Sequence, residues 1–214
     1  MLKYVILDIE TRPHPDADQW LAPVMPAANL KDPAKIAASV AERTAERDEK
    51  LGLDPDCCQI CAIGYQVVGA AETILVAKTE AEEADALRQV AVVYAASQGQ
   101  QETRLVTFCG RQFDLPVLMR RAMYLNVKFP ALNLDRYRSP HIDVYDALTC
   151  AGALRTAHSL SFYGRRLGRP TLDTVTGRDV AALAAAGEWE AIREHCRSDV
   201  LLTHAVADRL GLLR

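Results

Sequence analysis

The sequence predicts an α/β fold in which helices flank a mixed central sheet. Two observations carry this prediction. Three apolar, β-branched segments come first along the chain, and such segments are typical of strands in a meander. Strand and helix patterns then alternate, which favours parallel pairing. Half of the 214 residues are hydrophobic and no Pro/Gly/Ser-rich linker divides them, so we expect a single domain over residues 1–214.

The individual elements follow from local patterns along the chain. Apolar and β-branched runs predict strands at 3–9, 59–68, 73–78 and 104–109, and a short strand or extended piece at 141–146. Helical apolar spacing and capping residues predict helices at about 79–96, 115–124, 160–167, 179–186 and 189–210. Residues 12–56 combine several prolines with a charged helical stretch. They are predicted to form a partly helical insertion between the first two strands.

The charge balance weighs slightly against nucleic-acid binding. The formal net charge is −3 and the pI is near 6.0, whereas nucleic-acid binders are usually basic. Arginines nevertheless cluster locally, and these clusters matter only if they border one cleft. The clusters are Arg111, Arg120 and Arg121; Arg136 and Arg138; and Arg165, Arg166 and Arg169.

Two further features exclude classes of protein or site. The amino-terminal residues lack a signal-peptide pattern and no apolar run is long enough to cross a membrane, so we expect a cytoplasmic protein without a membrane partner. Cys57, Cys58 and Cys61 lie close together, but they lack the second pair of ligands that a structural zinc site needs. They also open an apolar run, so we predict buried free thiols.

Carboxylates occur at three notable places: the end of the first strand, the start of a helix and the apolar face of the last helix. Asp8 and Glu10 project from one face of the first strand; they form half a cation site, or only the charged end of a strand. Asp114 follows a glycine turn and begins a helix, where it is a helix cap, a metal ligand or both. Asp199 lies in the apolar stripe of the last helix, one turn after His195. A carboxylate placed there needs a cation or an internal salt bridge.

Three motifs follow one another along the chain. They are DIET at 8–11, TFCGRQFDLPVL at 107–118 and HCRSDVLLT at 195–203, with HIDVYDAL at 141–148 and SLSFYGRRLG at 159–168 between them. Together they resemble the DEDD superfamily of 3′–5′ exonucleases, which have a ribonuclease H-like fold. The match is closest to the small bacterial and viral group related to the proofreading domain of family-B DNA polymerases. It covers nearly the whole chain apart from the insertion.

The resemblance implies a two-metal exonuclease. Asp8, Glu10, Asp114 and Asp199 would bind two divalent cations, with Asp8 bridging both. Such all-carboxylate coordination favours Mg²⁺ or Mn²⁺ over Zn²⁺. One ion would lower the pKa of the attacking water and the other would stabilise the departing 3′ oxygen. The implied substrate is single-stranded DNA or a DNA 3′ end, and the product is a nucleoside 5′-monophosphate.

The chain departs from the family pattern at two positions. One subgroup has Tyr four residues before the last aspartate, where this chain has His195; the other has His five residues before it, where this chain has Glu194. We predict that His195 is the catalytic general base. Cys109 replaces a common Asn in the substrate-side loop. Thr11 and Phe113 lie where the family contacts the terminal nucleotide.

Two alternatives remain open at this stage. The chain is either an active deoxyribonuclease or a module of the same fold that binds nucleic acid with weak or no turnover. An exoribonuclease is the second alternative, because the motifs do not distinguish DNA from RNA. A nucleotide-cofactor enzyme is set aside, since no glycine-rich turn follows the first strand.

Overall fold

The computed structural model describes residues 3–95, 103–133, 135, 138–169 and 174–214. The strands in these ranges are β1 (Lys3–Pro13), β2 (Cys58–Val67), β3 (Glu72–Val76), β4 (Thr103–Thr107) and β5 (Ile142–Asp143). The helices are α1 (Ala17–Trp20), α2 (Pro33–Leu51), α3 (Glu80–Ala95), α4 (Asp114–Tyr124), α5 (Val144–Leu148), α6 (Leu160–Arg166), α7 (Val180–Ala186) and α8 (Trp189–Arg209). Within the described ranges a membrane-spanning helix is absent.

The five strands form one mixed sheet in the order β3-β2-β1-β4-β5. β1 pairs with β2 and β2 pairs with β3 in antiparallel directions, which is the predicted meander. β4 pairs in parallel with β1, and β5 pairs in parallel with β4. The predicted mixed α/β sheet is therefore confirmed, and β1 is its central strand.

Both faces of β1 are covered, because alternate residues pack against different helices. Val5, Leu7 and Ile9 belong to the core that α3 and α4 complete. Tyr4 and Ile6 point to the other face, into the core that includes α6 and α8. The two acids of β1 share this second face by the alternation of side chains. The sheet thus directs its acids towards α8.

β1 is longer than predicted, because its ladder with β2 continues to the pair Pro13 and Cys58. The insertion therefore leaves the sheet after residue 13. It contains α1 and α2, and α2 begins where the Asp32 side chain accepts a hydrogen bond from the Ala34 amide. Leu51 is the one buried residue of α2, so this helix lies largely on the surface.

The extended piece predicted at 141–146 is wrong in its second half. Only Ile142 and Asp143 pair in the sheet, and α5 begins at Val144. The Asp143 carboxylate accepts hydrogen bonds from the amides of Tyr145 and Asp146, which caps the new helix. A local side-chain cap therefore outweighs the β-branched pattern here.

Candidate active site

β1 positions the first two acids at the centre of the sheet. Glu10 is almost fully buried, with 6% of its surface exposed. The Oδ2 atom of Asp8 is buried and has no hydrogen-bond partner among the described residues. An unpartnered buried carboxylate oxygen is unfavourable unless a ligand satisfies it. Asp8 therefore has an open coordination position.

The turn between β4 and α4 positions Asp114. A Cβ atom at Gly110 would lie 2.2 Å from the Thr107 hydroxyl oxygen, so only glycine allows this turn to close. The Asp143 carboxylate accepts hydrogen bonds from the amides of Cys109 and Arg111 at 2.9 and 3.0 Å. Asp143 thus supports the turn that carries Asp114.

Asp114 is the first residue of α4, and Phe113 occupies the cap position. The expectation that Asp114 caps this helix is therefore wrong, because the helix begins at Asp114 itself, one residue earlier than a capping Asp114 requires. Burial is the main factor that raises the pKa of Asp114 to about 7, and the charges of Asp143 and Asp199 add to it. Backbone hydrogen bonds oppose this shift.

α8 brings the last acid and the histidine to the acids of β1. Gly64 of β2 permits this approach, because a Cβ atom there would lie 2.7 Å from Val200 and 2.8 Å from the Cys196 sulfur. His195 is buried, and its Nε2 lies 3.6 Å from Oε1 of Glu10. Asp199 is partly exposed on the same side of the helix.

The acids converge closely enough to share cations. One set of potential ligand atoms, from Asp8, Glu10 and Cys196, lies within 4.8 Å of one another, and so does the set from Glu10, His195 and Asp199. Glu10 belongs to both sets. Burial, followed by the charges of Glu10, Asp199 and Asp114, raises the pKa of Asp8 well above its ordinary value. Asp114 belongs to neither set but is near enough to affect Asp8 electrostatically.

This donor chemistry fits divalent cations. Carboxylates that raise one another's pKa are stabilised when a cation replaces the shared protons. Oxygen donors dominate, as hard ions such as Mg²⁺ and Mn²⁺ require. The buried thiols of Cys196 and Cys61 donate weak hydrogen bonds to the backbone carbonyls of Asp8 and Glu10. They belong to the core, as predicted for Cys61.

An open cavity of about 440 Å³ lies over the acids. The residues that line it are Asp8, Ile9, Glu10, Thr11, Leu53, Phe113, Ser159, Leu160, Ser161, Val175, Thr176, Gly177, His195 and Asp199. Thr11 and Phe113 lie in its wall, and the Thr11 hydroxyl donates to the Gly52 carbonyl. The chain thus places four of the five predicted catalytic residues, and both predicted substrate-binding residues, around one opening.

Sequence reasoning missed the far wall of this cavity. Ser159 and Ser161 belong to a motif that the sequence singled out without assigning a role, so that signal was present. Residues 175–177 carry no recognisable pattern and reach the cavity only through the path of the chain. Leu53 arrives from the end of the insertion, which therefore borders the candidate site.

The first arginine cluster does not provide a free basic surface, because its members are paired with carboxylates, whereas Arg165, Arg166 and Arg169 are exposed on α6 and just after it. Arg121 is buried and paired with Glu83 at 2.7 Å. Arg111 pairs with Asp146, a partner that local sequence patterns do not indicate. Arg120 is likewise paired, with Asp56. Arg136 lies outside the described residues, so the second cluster is not described in full.

The comparisons with known proteins identify the family and the fold. Residues 53–214 match the sequence profile of a family described as predicted 3′–5′ exonucleases related to the exonuclease domain of PolB. The chain belongs to this family. β1 lies outside the matched range, although it carries two of the acids and forms the centre of the sheet. No curated protein sequence matches the chain.

A solved structure has a fold similar to that of this chain. The family B DNA polymerase from the hyperthermophilic archaeon Pyrobaculum calidifontis matches with a TM-score of 0.65 and 14% sequence identity. The match covers 99% of this chain and 25% of the polymerase chain, so the protein spans about a quarter of that polymerase. The likeness includes β1 and supports the ribonuclease H-like fold.

Proposed function

We propose that the protein is a 3′–5′ exonuclease that hydrolyses the terminal phosphodiester bond of single-stranded DNA with two divalent cations. The observation that carries the proposal is the convergence of Asp8, Glu10 and Asp199 at one open cavity, with an unpartnered oxygen on Asp8 and with Asp114 close enough to raise the pKa of Asp8. The membership of a family of predicted exonucleases supports the reaction class. The product is a nucleoside 5′-monophosphate.

The four carboxylates would hold the cations, with Asp8 on the central strand as their shared ligand. When bound, the cations supply activation of the attacking water and stabilisation of the departing 3′ oxygen. The rigid β1 strand and α8 hold the ligands in place before the substrate arrives. This preorganisation means that the chain does not have to rearrange its charges during the reaction.

His195 accepts the proton of the attacking water. Its ring lies at the cavity, 3.6 Å from Glu10 and on the same helix as Asp199. A positioned base of this kind contributes about 10²–10⁴ in rate. Because the imidazole is one helical turn from Asp199, both side chains reach the cavity from one face of α8.

The cavity binds the terminal nucleotide. Its volume of about 440 Å³ lies within the range of pockets that hold small ligands. Phe113 and Leu53 provide apolar surface for the base, and the hydroxyls of Ser159, Ser161 and Thr176 provide hydrogen bonds for the sugar. A single nucleotide fills a cavity of this size, which favours an unpaired end over a duplex.

The test is degradation of end-labelled single-stranded DNA, duplex DNA and RNA by the wild type and by Asp8→Ala. We expect release of mononucleotides with Mg²⁺ or Mn²⁺, no release with chelator, and loss of activity in Asp8→Ala, because the bridging ligand is removed. Faster degradation of RNA would identify an exoribonuclease. Binding without turnover would identify a nucleic-acid-binding module, and full activity of pure Asp8→Ala protein would refute the site.

A further inference from the structure

Two cations lie over one indole ring beside the candidate active site. The Arg12 guanidinium carbon is 5.5 Å from the centroid of the Trp189 ring, and the Lys78 Nζ is 5.8 Å from it. Cations are attracted to the face of an aromatic ring at such distances. We call Arg12, Lys78 and Trp189 the Trp189 cluster. Arg12 and Trp189 are half-buried, whereas Lys78 is exposed.

Among the described residues, no carboxylate forms an ion pair with either cation of this cluster. Arg12 donates from Nη2 to the side chain of Gln59 and to the carbonyl of Lys78, both of which are uncharged partners. Its buried Nε has no hydrogen-bond partner among the described residues. The nearby carboxylate of Glu190 is paired with Arg193 at 3.3 Å, and not with Arg12 or Lys78.

The pairing of other arginines makes this feature distinctive. Arg111, Arg121 and Arg197 each lie against a carboxylate, so their charges are already compensated. The charge of a half-buried guanidinium without a carboxylate partner is costly unless an anionic acceptor outside the protein compensates it. A phosphate oxygen is such an acceptor, and arginine binds phosphate with a planar fork of donors.

The cluster also lies close to the acids. Arg12 follows Glu10 by two residues on β1, past the register irregularity between Glu10 and Thr11, which is a separation of about 7 Å along a strand. Trp189 precedes His195 by six residues on α8, which is about 9 Å along a helix. A strand whose terminal nucleotide fills the cavity can therefore place a neighbouring phosphate at the cluster.

We propose that the Trp189 cluster binds a backbone phosphate of the nucleic-acid strand, one or two nucleotides before the bond that is cleaved. Arg12 and Lys78 contact the phosphate, and Trp189 is a positioning residue that holds both cations over its ring. The proposal rests on the proposed exonuclease function. It explains how a protein with a net charge of −3 binds a polyanion next to a group of acids.

The experiment compares oligodeoxynucleotides of two, four and eight nucleotides as substrates in Mn²⁺. For the wild type, KM is expected to fall as the strand becomes long enough to reach the cluster. Lys78→Gln, Arg12→Gln and Trp189→Leu should lose this gain, with KM for the octanucleotide raised about tenfold, or about 1.4 kcal/mol. The slope of log KM against log salt should also fall by about 0.7 for each phosphate contact that is lost.

Lys128→Gln is the matched control, because Lys128 is an exposed lysine near α3 and α4, on the other side of the sheet. It should behave as the wild type. Arg12→Lys distinguishes the loss of charge from a folding defect. It keeps the positive charge and should therefore keep the salt dependence of KM. Equal KM values for Lys78→Gln and Lys128→Gln at every length would overturn the proposal.

Failure of the proposed function would look different. If the wild type hydrolyses no oligonucleotide, the exonuclease assignment fails, and fluorescence anisotropy with the labelled octanucleotide still tests the cluster. Weaker, less salt-dependent binding by Lys78→Gln than by Lys128→Gln would then support the cluster. Identical binding of the two variants would overturn it.

Discussion

Single residues at the candidate site carry an electrostatic penalty when no metal is bound. Asp8 and Asp114 are held in a buried group of acids, and burial raises the pKa of each carboxyl. The pKa of Asp114 is about 7 in the folded protein, and its ordinary value is 3.8. Between these two pH values, the metal-free protein therefore binds a proton at Asp114 when it folds. The free energy of unfolding therefore decreases as the pH rises through this interval.

Asp114→Asn should consequently stabilise the metal-free protein at pH 8, because it removes the buried charge. The gain should be on the order of a few kcal/mol, which raises Tm by about 2–4 °C for each kcal/mol. The gain should shrink as the pH is lowered towards 4. Thermal denaturation with chelator measures it, and Asp208→Asn, at an exposed position of α8, is the control.

With added Mn²⁺ the wild type should have the higher Tm. Metal binding stabilises the folded wild type, and it stabilises Asp114→Asn less because one ligand is lost. A lower Tm for metal-free Asp114→Asn than for wild type at pH 8 would contradict the raised pKa. It would mean that the carboxylate is stabilised in the folded protein by partners other than cations.

His195 supplies a second prediction at this scale. His195→Ala should lose about 10²–10⁴ in rate, while Mn²⁺ binding measured by calorimetry is retained. His195→Tyr restores the residue of the related subgroup and should keep substantial activity. An Ala variant with the wild-type rate would show that His195 only packs against α7 and β1.

At the scale of elements, the site depends on how closely α8 approaches the sheet. Gly64 opposes Asp8 in the β1–β2 ladder, and the absence of its side chain makes room for Cys196 and Val200. The turn between β4 and α4 likewise has no room for a side chain at Gly110. Two glycines therefore decide whether the strand, helix and turn that carry the acids can meet.

Gly64→Ala should displace α8, because the new Cβ atom would lie 2.7 Å from Val200 and 2.8 Å from Cys196. We expect a loss of about 1–3 kcal/mol in the free energy of unfolding and a larger proportional loss of activity, since His195 and Asp199 move with the helix. Urea denaturation and the exonuclease assay measure the two effects.

Gly52→Ala is the control for this substitution, since a Cβ atom at Gly52 would meet Pro13 at an ordinary distance of 3.4 Å. Val200→Ala combined with Gly64→Ala should recover part of the activity, because it removes one of the two close contacts. Wild-type activity and stability in Gly64→Ala would show that α8 does not need this approach.

For the whole molecule, the cavity is assembled from distant parts of the chain. The end of the insertion at Leu53, the start of α6 at Ser159 and the segment at 175–177 close it on sides that β1 and α8 leave open. A cavity of this size holds one terminal nucleotide, so it admits the end of a strand more readily than its middle. This arrangement favours exonuclease over endonuclease action.

A linear single strand with a 5′ label should therefore give a ladder of shortened products. A 3′-phosphate should slow the reaction strongly, because the terminal nucleotide no longer fits the pocket with a free hydroxyl. A circular single strand of the same sequence should resist cleavage. Gel electrophoresis distinguishes these outcomes, and equal cutting of the circle would indicate an endonuclease.

The sequence by itself determined most of the elements and the identity of the acids. Apolar periodicity and capping residues are local properties, so they located the meander, the later strands and α8 without knowledge of the fold. The alternation of β1 placed Asp8 and Glu10 on one face, and the structure confirms that Tyr4 and Ile6 share it. The order of the three motifs then indicated which other carboxylates belong with them.

Only the tertiary structure decided which groups meet across the chain. The carboxylates that neutralise Arg111 and Arg121, the support that Asp143 gives to residues 109–111, and the room that Gly64 leaves for α8 all join segments far apart in sequence. So does the pairing of Arg12 and Lys78 over Trp189. Charge pairing and close packing depend on distances in space, which local patterns do not specify, and for that reason the sequence left them undetermined.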